Sequence, residues 1–127
     1  MSGKHFLITT PEYDDTTTYC SKWSEEIIEK AEDKQFKVIN LNREQATRDN
    51  FENRVRVQSS PIFIMLNGHG NSKSVAGHEG QLILSCDLGN EKTTEKSILY
   101  VRSCDCGADL GPSCISKGCN AFIGYKA

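Results

Sequence analysis

Two short segments carry the residue types that thiol chemistry needs. Gly68-His69-Gly70 and Ser103-Cys104-Asp105-Cys106-Gly107 each follow directly on an apolar run. In open parallel α/β sheets, sites form at the carboxyl ends of the strands. If the two runs are neighbouring strands, His69 and Cys104 meet on one rim as base and nucleophile, the minimum for thiol-based acyl transfer. The histidine would promote the thiolate and then protonate a leaving amine. Gly70 lets the backbone turn sharply after His69 and leaves its N–H open to a substrate. The amides of Gly70 and Cys104 would together form an oxyanion hole. Taken singly, neither segment is specific. A histidine after a strand is most often a turn residue, and a cysteine at a strand end is most often a small core residue. The combination is more specific, because the two segments close consecutive apolar runs.

The elements that must position these residues alternate between strands and helices. Residues 5–10 are short, apolar and β-branched, and Pro11 closes them, so they read as a strand. Asp14 to Thr18 offer several N-caps. Trp23, Ile27, Ile28 and Ala31 follow at helical spacing, predicting an amphipathic helix over residues 17–34 with Trp23 and Ile27 in the core. Glu25, Glu26 and Glu29, with Lys22 and Lys30, read as its solvated face. Residues 36–41 read as a second strand. Asn42 with Gln45 has the form of a capping box, predicting a helix over residues 43–57. Residues 61–66 are the most apolar run and read as a central parallel strand covered on both faces. Residues 75–77 and 81–84 predict a small hairpin with His78 at its tip. Residues 97–103 form a further core strand, residues 104–111 a loop or short helix start, and residues 120–125 the last strand. This order indicates a three-layer α/β/α sandwich with a mostly parallel sheet.

Composition bounds the partners. The chain has 127 residues, room for one domain. A domain of that size buries about two-thirds of its unfolded surface, enough for a core without staples. Apolar residues make up 37% and charged residues 25%, which excludes a disordered, collagen-like or coiled-coil chain. The net charge is −2, so no basic excess calls for nucleic acid or an anionic membrane. The longest apolar run is far too short to span a bilayer. Met1-Ser2-Gly3-Lys4-His5 lacks the long apolar stretch of a signal peptide. The six cysteines are therefore expected to be reduced thiols in a cytoplasmic chain. Cys20, Cys86 and Cys119 read most simply as buried or half-buried small residues.

At these residues the sequence resembles the caspase-like (clan CD) cysteine peptidases, and among them the CHAT and gingipain-like members most. In that family a strand ends in His-Gly, and the next core strand ends in Ala-Cys-x-x-Gly or Ser-Cys-x-x-Gly. The corresponding segments here are residues 62–70 and 98–107. Residues 77–85 resemble the hairpin after the His-Gly motif, and residues 117–124 the small-residue strand after the Cys motif. The likeness spans residues 61–125, about half of the chain. It implies a caspase-like fold, peptide-bond hydrolysis on a peptide or protein substrate, and no metal or organic cofactor. It also implies His69 as base, Cys104 as nucleophile, and the Gly70 and Cys104 amides as the oxyanion hole. Cys106 is the fallback nucleophile if the loop is shifted. The separation of His69 and Cys104 is shorter than the roughly 50 residues typical of caspases. Family domains also continue past the last strand. The resemblance therefore implies a single domain over residues 1–127, shortened on its C-terminal side, with a second subunit or activating partner supplying the rest. Arg102 lies two residues before Cys104, so in a strand it faces the same way. Relatives use this offset to line the pocket for the substrate side chain, and Arg102 would there favour an acidic one. The alternative for Arg102 is an ion pair, as with Asp105.

Three rival readings remain at this point. Cys104, Cys106, Cys114 and Cys119, with His69 or His78, could supply zinc ligands, although no C-x₂-C pair is present. The chain could be a non-catalytic or partner-activated interaction module of the same fold, although both His69 and Cys104 are kept. A flavodoxin-like ligand-binding domain would want a glycine-rich loop after the first strand, and residues 9–14 do not supply one.

Overall fold

The first strand, β1 (His5–Thr10), is buried almost throughout, so its β-branched and apolar residues pack on both faces at once. The computed structural model describes residues 4–57 and 61–125. After β1 come α1 (Asp15–Asp33), β2 (Lys37–Asn42), α2 (Arg48–Val57), β3 (Phe63–Asn67), β4 (Gly70–Asn71), β5 (Ser74–Ala76), β6 (Leu82–Ser85), β7 (Ile98–Arg102), α3 (Leu110–Ser116) and β8 (Ala121–Ile123). Five strands make one sheet in the order β2-β1-β3-β7-β8, and every neighbouring pair is parallel. Strands β4, β5 and β6 form a small antiparallel sheet. The expected hairpin is therefore the second half of a three-stranded unit that starts directly after His69. Among the described residues no helix is long and apolar enough to cross a membrane.

Helices lie on both faces of the large sheet, giving an α/β sandwich. On one face Leu66, Leu99 and Val101 pack with Phe51 of α2, Val75 of the small sheet and Leu110 of α3. On the other, Phe6, Ile8 and Met65 pack with Ile27, Ile28 and Ala31 of α1. All-parallel strands need cover of this kind, because crossover connections put helices on the faces.

Two expectations change. Trp23 is not in the core: it is 63% exposed and stacks on Tyr19, with ring centroids 6.1 Å apart. In this half of α1 the buried positions are Thr17, Ser21 and Ser24, small polar residues that face polar groups at the strand ends. Next, Asn42 does not cap a helix. Its side-chain amide donates to Thr10 and Glu12, and Arg43 takes a left-handed φ of 54°, so the chain makes a single 3₁₀ turn at Arg43–Gln45. The cap of α2 is Thr47, whose hydroxyl accepts from the Asn50 N–H at 3.2 Å. The loop or short helix start expected at residues 104–111 is present: the residues after Cys104 turn and then enter α3. Pro112 sits in the first turn of that helix, where a missing N–H costs nothing.

Helix α3 is anchored by a buried carboxylate. Glu91, 3% exposed, accepts from the Ser113 hydroxyl at 2.5 Å and lies 3.6 Å from the Lys117 ammonium. Burial alone would raise its pKa, but the Ser113 hydroxyl, its own backbone N–H and then Lys117 outweigh that and hold it below the usual 4.5. A depressed carboxyl contributes stability that is present above its unfolded pKa and lost as pH falls through its folded value. Urea denaturation of Glu91→Gln should therefore show a shallower loss of stability than wild type between about pH 5 and pH 3. Parallel curves would show that Glu91 does not hold α3.

Candidate active site

Parallel pairing puts every strand's carboxyl end on one edge of the sheet. β3 and β7 are neighbours, and their last register pair is Asn67 with Arg102. His69 and Cys104 each lie two residues beyond that pair. The Gly68 N–H still reaches the Arg102 carbonyl at 3.4 Å, so the two chains leave the sheet side by side. The His69 carbonyl accepts from the Ala76 N–H at 2.8 Å, which fixes the histidine backbone to the small sheet. The side chain itself is 46% exposed.

The strand order brings in a third residue. β1 lies between β2 and β3, with α1 on one sheet face and α2 on the other. The chain therefore changes direction at β1, and the loops after β1 and β3 lie side by side. Asp14 lies in the first of these loops, with its Oδ2 at 2.6 Å from His69 Nε2. Its Oδ1 accepts from the Thr17 N–H at 2.9 Å and from the Thr17 hydroxyl at 2.7 Å, in a capping box that starts α1. These Thr17 bonds, and then His69, pull the Asp14 carboxyl down to about 2. It is a carboxylate at any physiological pH, able to fix the imidazole ring and to balance its positive charge. With Nε2 on Asp14, His69 Nδ1 is the ring nitrogen left over for a second partner. The Tyr13 ring stands edge-on to His69 at 6.1 Å and to His78 at 6.0 Å. His78 lies in the turn between β5 and β6, with Nε2 at 3.1 Å from Glu79.

The two cysteines of the Cys-x-Cys segment differ sharply. Cys104 is exposed. Asp105 takes a left-handed φ of 59°, and Cys106 beyond it is fully buried. The Cys106 thiol donates to the carbonyls of Asn71 and Ser74, at 3.2 and 3.3 Å. Burial, reinforced by neighbouring Cys104 and Asp105, pushes that thiol up. Among the remaining cysteines, Cys114 and Cys119 are buried and Cys20 and Cys86 half-buried, and burial pushes Cys114 up to about 12. Among the described residues no three His, Cys, Asp or Glu side chains are grouped as metal ligands would be. The four zinc candidates thus lie in one exposed and three buried settings.

Gly70 is where the two loops touch. A Cβ there would stand 2.3 Å from both the Ser103 hydroxyl and the Ser74 carbonyl, so only glycine fits. His69 and Ala76 face each other as a hydrogen-bonded pair. The antiparallel alternation then turns the Gly70 N–H away from β5. Arg102 is half-buried on the α1 side of the sheet. Its Nε donates to Asn67 Oδ1 at 2.9 Å, and its Nη2 to Ser24 Oγ at 2.8 Å and to the Cys20 carbonyl at 3.2 Å. It does not pair with Asp105.

No family model, curated protein or solved structure matches the chain.

The sequence marks Asp14 only as a helix cap, whereas its second oxygen holds His69. The signal lay in topology: with β1 beside β3, the first acid after Tyr13 faces the residues after β3.

Two outcomes follow from this geometry. Brief alkylation of the folded protein with iodoacetamide, mapped by mass spectrometry, should mark Cys104 first and reach Cys106, Cys114 and Cys119 only on unfolding. Modification of Cys106 ahead of Cys104 would reverse their assignment. Asp14→Ala should cost about 1 kcal/mol in urea denaturation, the usual worth of an N-cap. Asp14→Ser should recover most of that loss, because serine caps α1 without reaching His69. Equal losses in both variants would mean that Asp14 stabilises through its contact with His69 and not through its cap.

Proposed function

We propose that this domain is a caspase-like cysteine peptidase in which Cys104 is the nucleophile, His69 the base and Asp14 the residue that orients the base. The observation that carries the reading is the contact of Asp14 with a histidine that leaves the sheet beside an exposed cysteine. A nucleophile, a base and an orienting acid in this relation are the general pattern of activated-nucleophile hydrolases. The strand order, and the antiparallel unit between His69 and β7, are compatible with the resemblance seen in the sequence.

In this reading His69 takes the thiol proton of Cys104, and the thiolate adds to a peptide carbonyl. The oxyanion forms against the amides of Gly70 and Cys104, which act without reorganising. His69 then gives its proton to the leaving amine as the C–N bond breaks, leaving a thioester on Cys104. Water adds to the thioester, losing a proton to His69. The thiolate departs and the product acid is released, with the proton returned to sulfur. Asp14 stays ionised throughout and balances the imidazolium. Six free thiols suit a reducing compartment such as the cytoplasm.

A partner-activated form is the second reading, favoured by the edge strand β8. It pairs only with β7 among the described residues, and Ile123 and Tyr125 beside it are 52% and 48% exposed. A second subunit lying there would extend the sheet and cover both residues.

The test is covalent labelling with peptidyl acyloxymethyl ketones carrying Asp, Leu or Arg at the reactive position. Labelling should map to Cys104, vanish in Cys104→Ala, and slow by about 10²-fold or more in His69→Ala, the usual worth of a positioned base. Labelling that survives Cys104→Ala and vanishes in Cys106→Ala would move the nucleophile. No labelling by any of the three probes would sink the peptidase reading for this chain acting alone.

A further inference from the structure

The residues two places before the proposed base and nucleophile are bonded to each other. Asn67 and Arg102 are the last register pair of β3 and β7, and Arg102 Nε donates to Asn67 Oδ1. The Asn67 amide donates onward to the Thr9 carbonyl of β1 at 2.9 Å and to Ser24 Oγ of α1 at 3.1 Å. Arg102 Nη2 meets the same Ser24 hydroxyl and the Cys20 carbonyl. Ser24 in turn donates to Cys20. Asn67, Thr9 and Ser24 are all fully buried. One polar network therefore joins the ends of β1, β3 and β7 to α1, the helix that Asp14 starts.

From this network we infer that Arg102 is a positioning residue for the Asp14–His69–Cys104 site, and not the contact that selects a substrate side chain. The inference rests on the peptidase reading of that site. A guanidinium grips a carboxylate through one of two two-pronged edges, Nε with Nη2 or Nη1 with Nη2. Both edges use Nη2, which is spent on α1, and Nε is spent on Asn67. Nη1 remains, and a single nitrogen gives no fork across two guanidinium nitrogens. A network of satisfied buried polar groups fixes its members more sharply than apolar packing does. Here its members are the roots of the two loops that would react together. Displacement of a reacting group by about 1 Å costs on the order of 10²-fold in rate.

The test follows covalent labelling of Arg102→Lys, Arg102→Met and Ser24→Ala, using the Asp and Leu acyloxymethyl ketones. Lysine keeps the charge and loses the fork. Serine 24 is sealed from any substrate, and its alanine variant leaves Arg102 in place. The limiting inactivation rate should fall about tenfold or more in both Arg102 variants and by a smaller factor in Ser24→Ala. The half-saturating probe concentration and the Asp-to-Leu rate ratio should stay within about twofold of wild type. A selective loss of the Asp probe in Arg102→Met, retained in Arg102→Lys, would overturn the inference and make Arg102 the specificity residue. An inert wild type would instead strike the peptidase reading, and amide hydrogen exchange would then decide the network's role. Arg102→Met should speed exchange in both residues 68–70 and residues 103–106, and unchanged exchange in either segment would overturn the inference.

Discussion

The parallel pairing of β3 with β7 is the constraint on which everything at this edge of the sheet depends. β3 is buried on both faces, and β7 alternates buried Leu99 and Val101 with half-buried Ile98, Tyr100 and Arg102, so a slip of one residue would exchange the residues facing α1 with those facing α2 and α3. Register is therefore tightly held, and with it the relation of the two loops that follow. Gly70 tightens the relation, since its missing side chain lets the backbone come against Ser103. The β4–β5 turn then carries the next stretch of the second loop: Ser72 accepts the N–H groups of Asp109 and Leu110, and the Cys106 thiol holds Asn71 and Ser74. The segment after His69 is thus the mould for the segment after Cys104.

Asp14 shows how few residues such an edge needs. One oxygen starts a helix and the other holds a histidine, so the direction of α1 and the orientation of the ring are set by one carboxylate. The cap also keeps the group ionised, because the Thr17 N–H and hydroxyl favour its charged form. Ser24, ten residues further along α1, ties the same helix to the ends of β3 and β7. Helix α1 is thus tied to His69 through Asp14 and to Asn67 and Arg102, the residues that precede the two loops.

Much of the fold was legible because strong local patterns met no opposition. β1 appears at residues 5–10 as its apolar run and Pro11 indicated, and the alternation of elements led directly to a parallel sheet with covered faces. The errors share a cause, which is polar chemistry between segments distant in sequence. Asn42 reads as a cap, yet Thr10 and Glu12 from the neighbouring loop claim its amide. Trp23 reads as core, yet the sheet end beneath this part of α1 is polar and takes Ser24 instead. The spacing of Arg102 and Cys104 suggested a shared direction, but nothing local revealed that Asn67 and Ser24 would receive the guanidinium. For the same reason the second role of Asp14 was invisible. It depends on β3 lying beside β1, which no window of sequence contains.

The outward position of Trp23 affects how the molecule can be observed. It is the only tryptophan in the chain, and water already bathes most of its ring in the folded state. Unfolding moves that ring from one aqueous setting to another, so its emission is a poor gauge of whether the core is intact. The same ring is stacked on Tyr19 and adjoins Ser24 in the chain, where α1 reaches the strand ends. The indole is thus a built-in fluorescent reporter for whatever settles on that side of α1, and one that stays nearly silent about the rest of the fold.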